Sequence, residues 1–160
     1  MVEKKQIVCA GVITLDALAL VDGYPAPDSR VEASLVQISG GGPAANAAVV
    51  LARQGESVAF VGRVGDDAAG EQAVALLEAE GVDVSGVCVL ADTRTQASCI
   101  IVDRNAGTRA ISTQRMPVWE SLDSVARDIV SDAHWVHVDH LGFNPVKEFL
   151  AQSRGTGIIS

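Results

Sequence analysis

The chain has 160 residues, of which 48% are hydrophobic and 20% charged, a balance that is ordinary for a globular domain with its own core. Its formal net charge is −8 and no basic cluster is longer than Lys4-Lys5, so we expect no nucleic-acid partner. The sequence has neither an apolar run of membrane-spanning length nor a signal-type N-terminus, which predicts a cytoplasmic protein without membrane association.

The cysteines and histidines do not predict a metal site. The cysteines lie far apart in apolar, strand-like segments, which indicates reduced core thiols rather than a disulfide framework or a zinc site; they are Cys9, Cys88 and Cys99. Three histidines follow one another at every third position, His134, His137 and His140. Side chains alternate faces along a strand, so His137 would point away from the other two, and we expect no bound metal.

The N-terminal part reads as a strand followed by a polar rim. An apolar run over 6–13 predicts a buried parallel strand. Asp16 lies just beyond it, where open α/β sheets bind ligands, although a solvated loop acid would look the same. Turn residues over 22–28 precede an alternating pattern over 30–38, which predicts a half-exposed strand.

The most distinctive stretch is the glycine run over 40–42, which opens a helix that ends at Gly55. Glycines let a ligand touch the backbone because no Cβ keeps it away, and Pro43 suits the first helical turn because its missing N–H would have no partner there. Asn46, one turn into the helix, can both donate and accept hydrogen bonds. This pattern suits a polyhydroxylated ligand, and it also suits a tight strand-to-helix connection without a ligand.

Two phosphate-loop interpretations compete with that one. The run lacks Gly-Lys-Ser/Thr, which excludes a P-loop. The stretch over 40–45 fits G-x-G-x-x-A, which is typical of a dinucleotide-binding oxidoreductase. That fingerprint usually follows the first strand, which here lies well upstream, and the acids near the expected position, Asp66 and Asp67, follow a second glycine turn. We therefore rank this alternative low.

The remainder alternates strands and helices. Strands are predicted over 57–62, 84–90, 135–139 and 157–160, helices over 68–80, 122–130 and 144–153, a turn over 62–67 and a β-hairpin over 96–112. The alternation predicts a mostly parallel α/β sheet with helices on both faces. The 30–38 strand and the hairpin do not fit it and predict a small β-element standing off the main sheet.

These motifs, in this order, resemble those of the PfkB carbohydrate kinases, the ribokinase-like family that includes ketohexokinase, fructokinase and adenosine kinase. The stretches that carry the resemblance are Gly11 with Thr14-Leu15-Asp16, Gly41-Gly42-Pro43-Ala44-Ala45-Asn46, Val61-Gly62-Arg63-Val64-Gly65-Asp66-Asp67 with Gly70, Gly107-Thr108-Arg109, and Trp135-Val136-His137-Val138-Asp139. The resemblance implies a ribokinase-like layered sandwich. Residues 1–160 would form the N-terminal part of one domain, with lid segments at about 14–38 and 96–113, and the C-terminal half of the fold would be missing.

The resemblance implies ATP-dependent transfer of the γ-phosphoryl group to a hydroxyl of a sugar, with Mg²⁺ as cofactor. It assigns contacts with sugar hydroxyls to Asp16, the backbone of Gly41 and Gly42, and the amide of Asn46. Asp139 stands where relatives often carry a sugar-contacting acid, usually Glu, so its reach is shorter.

The lid has two implied roles. It would exclude water from the closed site, and in many relatives it also pairs two subunits, so we expect a homodimer through the lid. Arg109, on the hairpin, would come near the phosphoryl group when the lid closes, where its charge would stabilise the equatorial oxygens. A solvated hairpin arginine is the alternative for this residue.

The sequence departs from the family pattern in two places. Pro43 stands where relatives often have Lys or Asn, so the identity of the sugar does not carry over. The family's Gly-Ala-Gly-Asp motif, with its catalytic base, and its magnesium-associated Asn-x-x-Glu motif have no counterpart, so most ATP-binding and Mg²⁺-binding residues are absent and no catalytic residue is assigned. We therefore expect this chain alone to be inactive. The alternative is a non-catalytic module that binds a sugar or nucleoside or dimerises through its lid.

Overall fold

The computed structural model describes residues 6–152 and the backbone of 158–159. The predicted ends of the last helix and strand, at 153, 157 and 160, lie outside the described residues. The elements are β1 (Ile7–Gly11), β2 (Thr14–Val21), β3 (Ala33–Gly41), α1 (Pro43–Arg53), β4 (Val58–Gly65), α2 (Ala68–Ala79), β5 (Asp83–Leu90), β6 (Ala97–Asp103), β7 (Thr108–Gln114), α3 (Ser124–Asp132), β8 (Trp135–Val138), α4 (Phe143–Gln152) and β9 (Ile158–Ile159).

The main sheet contains five parallel strands in the order β5-β4-β1-β8-β9, so β1 lies at its centre. Small residues of α1 and Leu77 of α2 pack on one face against Phe60 of β4. Val130 of α3 and Val146 of α4 pack on the other face against Val136 of β8. The predicted α/β sheet with helices on both faces is therefore confirmed. No helix in the described part is both long and apolar enough to cross a membrane.

A second sheet of four strands stands apart from the main one, as predicted, in the order β3-β2-β6-β7. Its central pair, β2 and β6, is parallel, and each outer strand is antiparallel to its neighbour. The sequence analysis ended the first strand at 13 and assigned no strand to β2, because only two apolar residues, Val12 and Ile13, separate β2 from β1 and no turn residue marks the boundary. Asp16 accordingly lies within a strand of the second sheet rather than in a loop.

The predicted turn over 62–67 is wrong for 62–65, because β4 continues through Gly65 and pairs with β5 to its end, and only 66–67 form a bend before α2. Gly62 is needed there for close packing. A Cβ at Gly62 would lie 2.8 Å from the carbonyl oxygen of Gly11 and 2.5 Å from the Phe60 ring. The glycine run at 40–42 likewise begins inside β3, which extends to Gly41.

Candidate functional site

Thr14 and Asp16 lie two residues apart on β2 and therefore on one face of the second sheet. On the neighbouring strand, Gly41 pairs with Thr14, and Ser39 pairs with Asp16. A Cβ at Gly41 would overlap the Asp16 carboxylate and lie 2.6 Å from Thr14 Oγ1, so the three residues converge.

Two side-chain atoms at this point lack a partner. Thr14 Oγ1 and Asp16 Oδ1 are both buried, and neither forms a hydrogen bond with the described residues. Buried polar atoms are rarely left unpaired, because burial without a hydrogen bond costs about 1–3 kcal/mol. A hydroxyl or amine of a ligand would satisfy both atoms. Thr14 was missed as a candidate, since only its burial and its unpaired oxygen set it apart.

The glycine run continues directly into α1. Gly42 has φ 106°, and a Cβ there would overlap the carbonyl of Val12, so this position requires glycine. Pro43 is the first helical residue, and no side chain at the N-cap position caps the helix. Asn46 follows one turn later and is exposed.

Gly41 and Asn46 line a cavity of about 480 Å³ between β3, α1 and α2. Its other polar lining residues include Gln37 and Ser39. An exposed ion pair is also part of the lining, with Arg53 Nε 2.7 Å from Glu80 Oε2, and this hydrogen bond lowers the pKa of Glu80 and raises that of Arg53. The cavity provides room for a ligand beside the glycine run.

Asp139 follows β8 directly and is buried. Its Oδ2 accepts hydrogen bonds from the backbone N–H groups of Val12, at 2.7 Å, and Ala44, at 3.2 Å. Its Oδ1 accepts from the N–H groups of Leu141, at 2.9 Å, and Gly142, at 3.1 Å. Asp139 is therefore adjacent to the site residues, but its carboxylate is bonded to backbone.

Arg109 lies on β7 and is exposed. The strand register places it on the same face of the second sheet as Asp16, because Ser98 of β6 pairs with both Asp16 and Thr113. Arg109 lies four residues before Thr113 on β7, which corresponds to about 14 Å along the strand. The structure thus places Arg109 on the face that carries Asp16, but not beside it.

The two acids that follow β4, Asp66 and Asp67, have structural partners. Asp67 caps α2 and accepts hydrogen bonds from the backbone N–H of Thr95, at 3.1 Å, and from its hydroxyl, at 2.6 Å. Asp66 accepts from the N–H groups of Asp92 and Thr93. These bonds connect the carboxyl end of β4 to the segment that precedes β6.

A family model described as pfkB family carbohydrate kinase matches residues 4–153. The chain belongs to this family. It is 32% identical to ketohexokinase of Mus musculus over 139 residues, which are 86% of this chain and 46% of that protein. It is 36% identical to fructokinase-1 of Oryza sativa subsp. japonica over 111 residues, 69% of this chain and 33% of that protein.

The pfkB fold is also seen in solved structures. Arabidopsis thaliana ribokinase, in a structure complexed with ribose and ATP, matches with a TM-score of 0.81 and 21% identity, covering 98% of this chain and 53% of the ribokinase. The predicted ribokinase-like fold is confirmed. This pfkB-family chain spans about half the length, or less, of the relatives described here.

The family assignment agrees with the position of the glycine run. The G-x-G-x-x-A stretch over 40–45 begins at the end of β3, a strand of the second sheet and not of the parallel sheet. The dinucleotide-binding alternative therefore lacks the strand that its fingerprint requires.

The magnesium ion implied by the pfkB family has no evident ligands among the described residues. Within 6–152, no group of three or more His, Cys, Asp or Glu side chains could hold a metal ion. The residues present in this range therefore do not fit a Mg²⁺ site. The prediction of core thiols is confirmed for Cys9, whose burial raises its pKa to about 12, and it is wrong for Cys99, which is exposed on β6; Cys88 is half-buried.

Proposed function

We propose that the natural protein, meaning the polypeptide as the cell makes it, is an ATP-dependent cytoplasmic sugar kinase. It would transfer a phosphoryl group to a hydroxyl of a sugar or sugar-like substrate. In this proposal, the described residues supply the sugar-binding side of the site and its lid. The observation that carries it is the pair of buried, unpartnered oxygens of Thr14 and Asp16 beside Gly41. A carboxylate and a hydroxyl so placed suit neighbouring hydroxyls of a sugar, since the carboxylate accepts from both.

Each element has a proposed task. Asp16 accepts hydrogen bonds from two sugar hydroxyls, and Thr14 contributes a further donor or acceptor. The backbone of Gly41 and Gly42 and the amide of Asn46 contact other hydroxyls of the same sugar. Neither Thr14 nor Asp16 is part of the cavity lining that includes Gly41 and Asn46, so the proposal requires a ligand that extends from the cavity to the Asp16 carboxylate. Contacts from all five groups would fix the orientation of the sugar, which is what phosphoryl transfer to a single hydroxyl requires.

The second sheet would act as the lid. Closure over the sugar would exclude water, which would otherwise accept the phosphoryl group. Arg109 lies on the face of this sheet that carries Asp16, and closure would bring its charge toward the transferred group. No Gly-Ala-Gly-Asp motif occurs in the 160 residues, so we propose that this chain alone binds sugar without phosphorylating it.

A lid-mediated homodimer is part of the proposal. The second sheet exposes several large apolar side chains, namely Leu35, Val36, Ile38 and Ile111. The strand register places Val36 and Ile38 on the face opposite Asp16, and Leu35 and Ile111 on the face that carries Asp16. The exposed apolar pair on the face opposite Asp16 favours burial against another surface, and a second copy of the same sheet is the proposed partner.

Calorimetric titration of the natural protein with ribose and fructose, with and without Mg-ATP, tests the proposal. We expect Asp16→Asn to weaken sugar binding by about tenfold or more, because charge-assisted hydrogen bonds are worth about 1.5–3 kcal/mol. Asp128→Asn, on the exposed face of α3, makes the same chemical change elsewhere and should leave binding intact. Arg109→Ala should lower kcat and leave the sugar Kd unchanged.

Three results would count against this function. Wild-type protein that binds neither sugar would contradict the proposed substrate class, and unchanged sugar binding by Asp16→Asn would contradict the proposed site. Sugar binding without any turnover of ATP by the natural protein would favour the non-catalytic alternative.

A further inference from the structure

The carboxylate of Asp139 has no acceptor capacity left for a ligand. An ionised carboxylate offers about four acceptor positions. Two backbone N–H groups donate to Oδ2 and two to Oδ1, and the residue is only 9% exposed. A sugar hydroxyl could bond to Asp139 only by displacing one of these donors.

The four donors belong to three separate segments of the chain. Val12 lies in the connection between β1 and β2, Ala44 in the first turn of α1, and Leu141 and Gly142 just before α4. Ala44 is the first residue of α1 that can donate, since Pro43 has no N–H. Asp139 therefore supplies the N-terminal cap that α1 lacks from its own sequence.

Two of these segments carry the candidate site. The Val12 connection leads to Thr14 and Asp16, and the first turn of α1 continues from the glycine run. One carboxylate oxygen, Oδ2, bonds to both segments and so fixes the distance between them. The Asp139 carboxylate packs directly against Gly11, and a Cβ on that residue would overlap the carboxylate. This close contact leaves the carboxylate little freedom to move.

We propose that Asp139 is a positioning residue, which holds the Thr14–Asp16 side of the sugar site against the glycine run without itself touching the sugar. This inference rests on the proposed function. It differs from the contact implied by the resemblance, since the side chain here is turned to backbone donors.

Asp139→Asn in the natural protein tests the inference. The amide group would place two N–H donors where a carboxylate oxygen accepted two, so at least one pair of backbone bonds is lost. We expect the Kd for the sugar to rise about tenfold or more, because small misplacements of binding groups cost this much. The same factor should apply to every monodeoxy analogue of that sugar that the wild type binds.

A direct contact would give another pattern. If Asp139 bonded to one sugar hydroxyl, the analogue lacking that hydroxyl would bind equally to the wild type and to Asp139→Asn, and the proposal would be overturned. A merely structural role would reduce the number of binding-competent molecules at unchanged Kd, which the titration stoichiometry reports.

Asp103→Asn is the matched control. Asp103 is 8% exposed, and its Oδ1 accepts from the N–H groups of Asn105 and Ala106 at the far end of β6. Its loss should alter stability and leave the sugar Kd unchanged.

Amide hydrogen exchange separates this inference from the proposed function. Asp139→Asn should accelerate exchange over 12–16 and 41–46 relative to the wild type, whether or not a sugar binds. Unchanged exchange there would overturn the positioning role. A wild type that binds no sugar, with faster exchange in the variant, would instead contradict the proposed function and the sugar part of this inference.

Discussion

Gly41 and Asp16 lie on adjacent strands of the second sheet so closely that a Cβ on the glycine would overlap the aspartate carboxylate. The glycine is therefore needed for space, since its φ does not lie in the left-handed region. A ligand that bonds to the Asp16 carboxylate on this side would therefore lie close to the Gly41 backbone.

We expect Gly41→Ala to abolish measurable sugar binding, because the methyl group would displace the Asp16 carboxylate and fill the space beside Thr14. The same overpacking should destabilise the fold by about 1–3 kcal/mol. Calorimetric titration measures the first effect and urea denaturation the second.

Gly23→Ala is the control for this change. Gly23 lies in the turn after β2, and a Cβ there would meet nothing within 4 Å. This variant should match the wild type in both measurements. Sugar binding by Gly41→Ala at wild-type affinity would contradict the placement of the site.

Acid should weaken the contact between Asp67 and Thr95. The hydrogen bond from the Thr95 hydroxyl, with further bonds from backbone N–H groups, lowers the pKa of Asp67 below its ordinary value of 3.8. As pH falls, Asp67 is therefore protonated in the unfolded chain before it is protonated in the folded protein. The ionised carboxylate stabilises the fold above pH 3.8, and this stabilisation is lost as pH falls through the lower pKa of the folded state.

We expect Asp67→Asn to be less stable than the wild type at neutral pH, with a difference that narrows below about pH 4. Urea denaturation across pH 2 to 7 measures it. Asp128→Asn, which removes an exposed carboxylate, should differ from the wild type by the same small amount throughout. A pH-independent difference for Asp67→Asn would show that the carboxylate charge makes no contribution.

The sequence predicted the main sheet well, because its strands are apolar runs separated by helical segments, the first two of which are followed by Gly55 and Gly81. It predicted the second sheet only in part. β2 was missed because it follows β1 after two apolar residues, and no periodicity separates two strands that belong to different sheets. Gly62 and Gly65 were read as a turn because glycine serves both turns and close packing. The close packing is visible only from their neighbours, the Phe60 ring and Gly11 backbone at Gly62 and the Thr93 backbone at Gly65.

The candidate site, too, could be predicted only in part from the sequence. The glycine run, Asp16 and Asn46 could be singled out because their residue types are unusual at those positions. The backbone partners of Asp139 could not, since Val12 and Ala44 are 127 and 95 residues away in sequence and donate through groups that every residue carries. Thr14 was missed for a related reason, because an unpaired hydroxyl is visible only once its surroundings are known.

The exposed apolar residues of β3 predict how the protein associates. β3 is an edge strand of the second sheet, and Val36 at its centre is 71% exposed. If two lids pair through this surface, Val36→Glu would bury a charge without a partner, which is strongly unfavourable. We expect the natural protein to sediment as a dimer at micromolar concentration and Val36→Glu to shift it to monomer.

Val118→Glu provides the matched control, because Val118 is 82% exposed but lies outside both sheets. It introduces the same charge on the same side chain and should leave the dimer intact. Sedimentation equilibrium distinguishes the two variants. If the wild type is a monomer, or if Val118→Glu dissociates the dimer as effectively as Val36→Glu, then pairing does not occur through β3, and its apolar side chains require another partner.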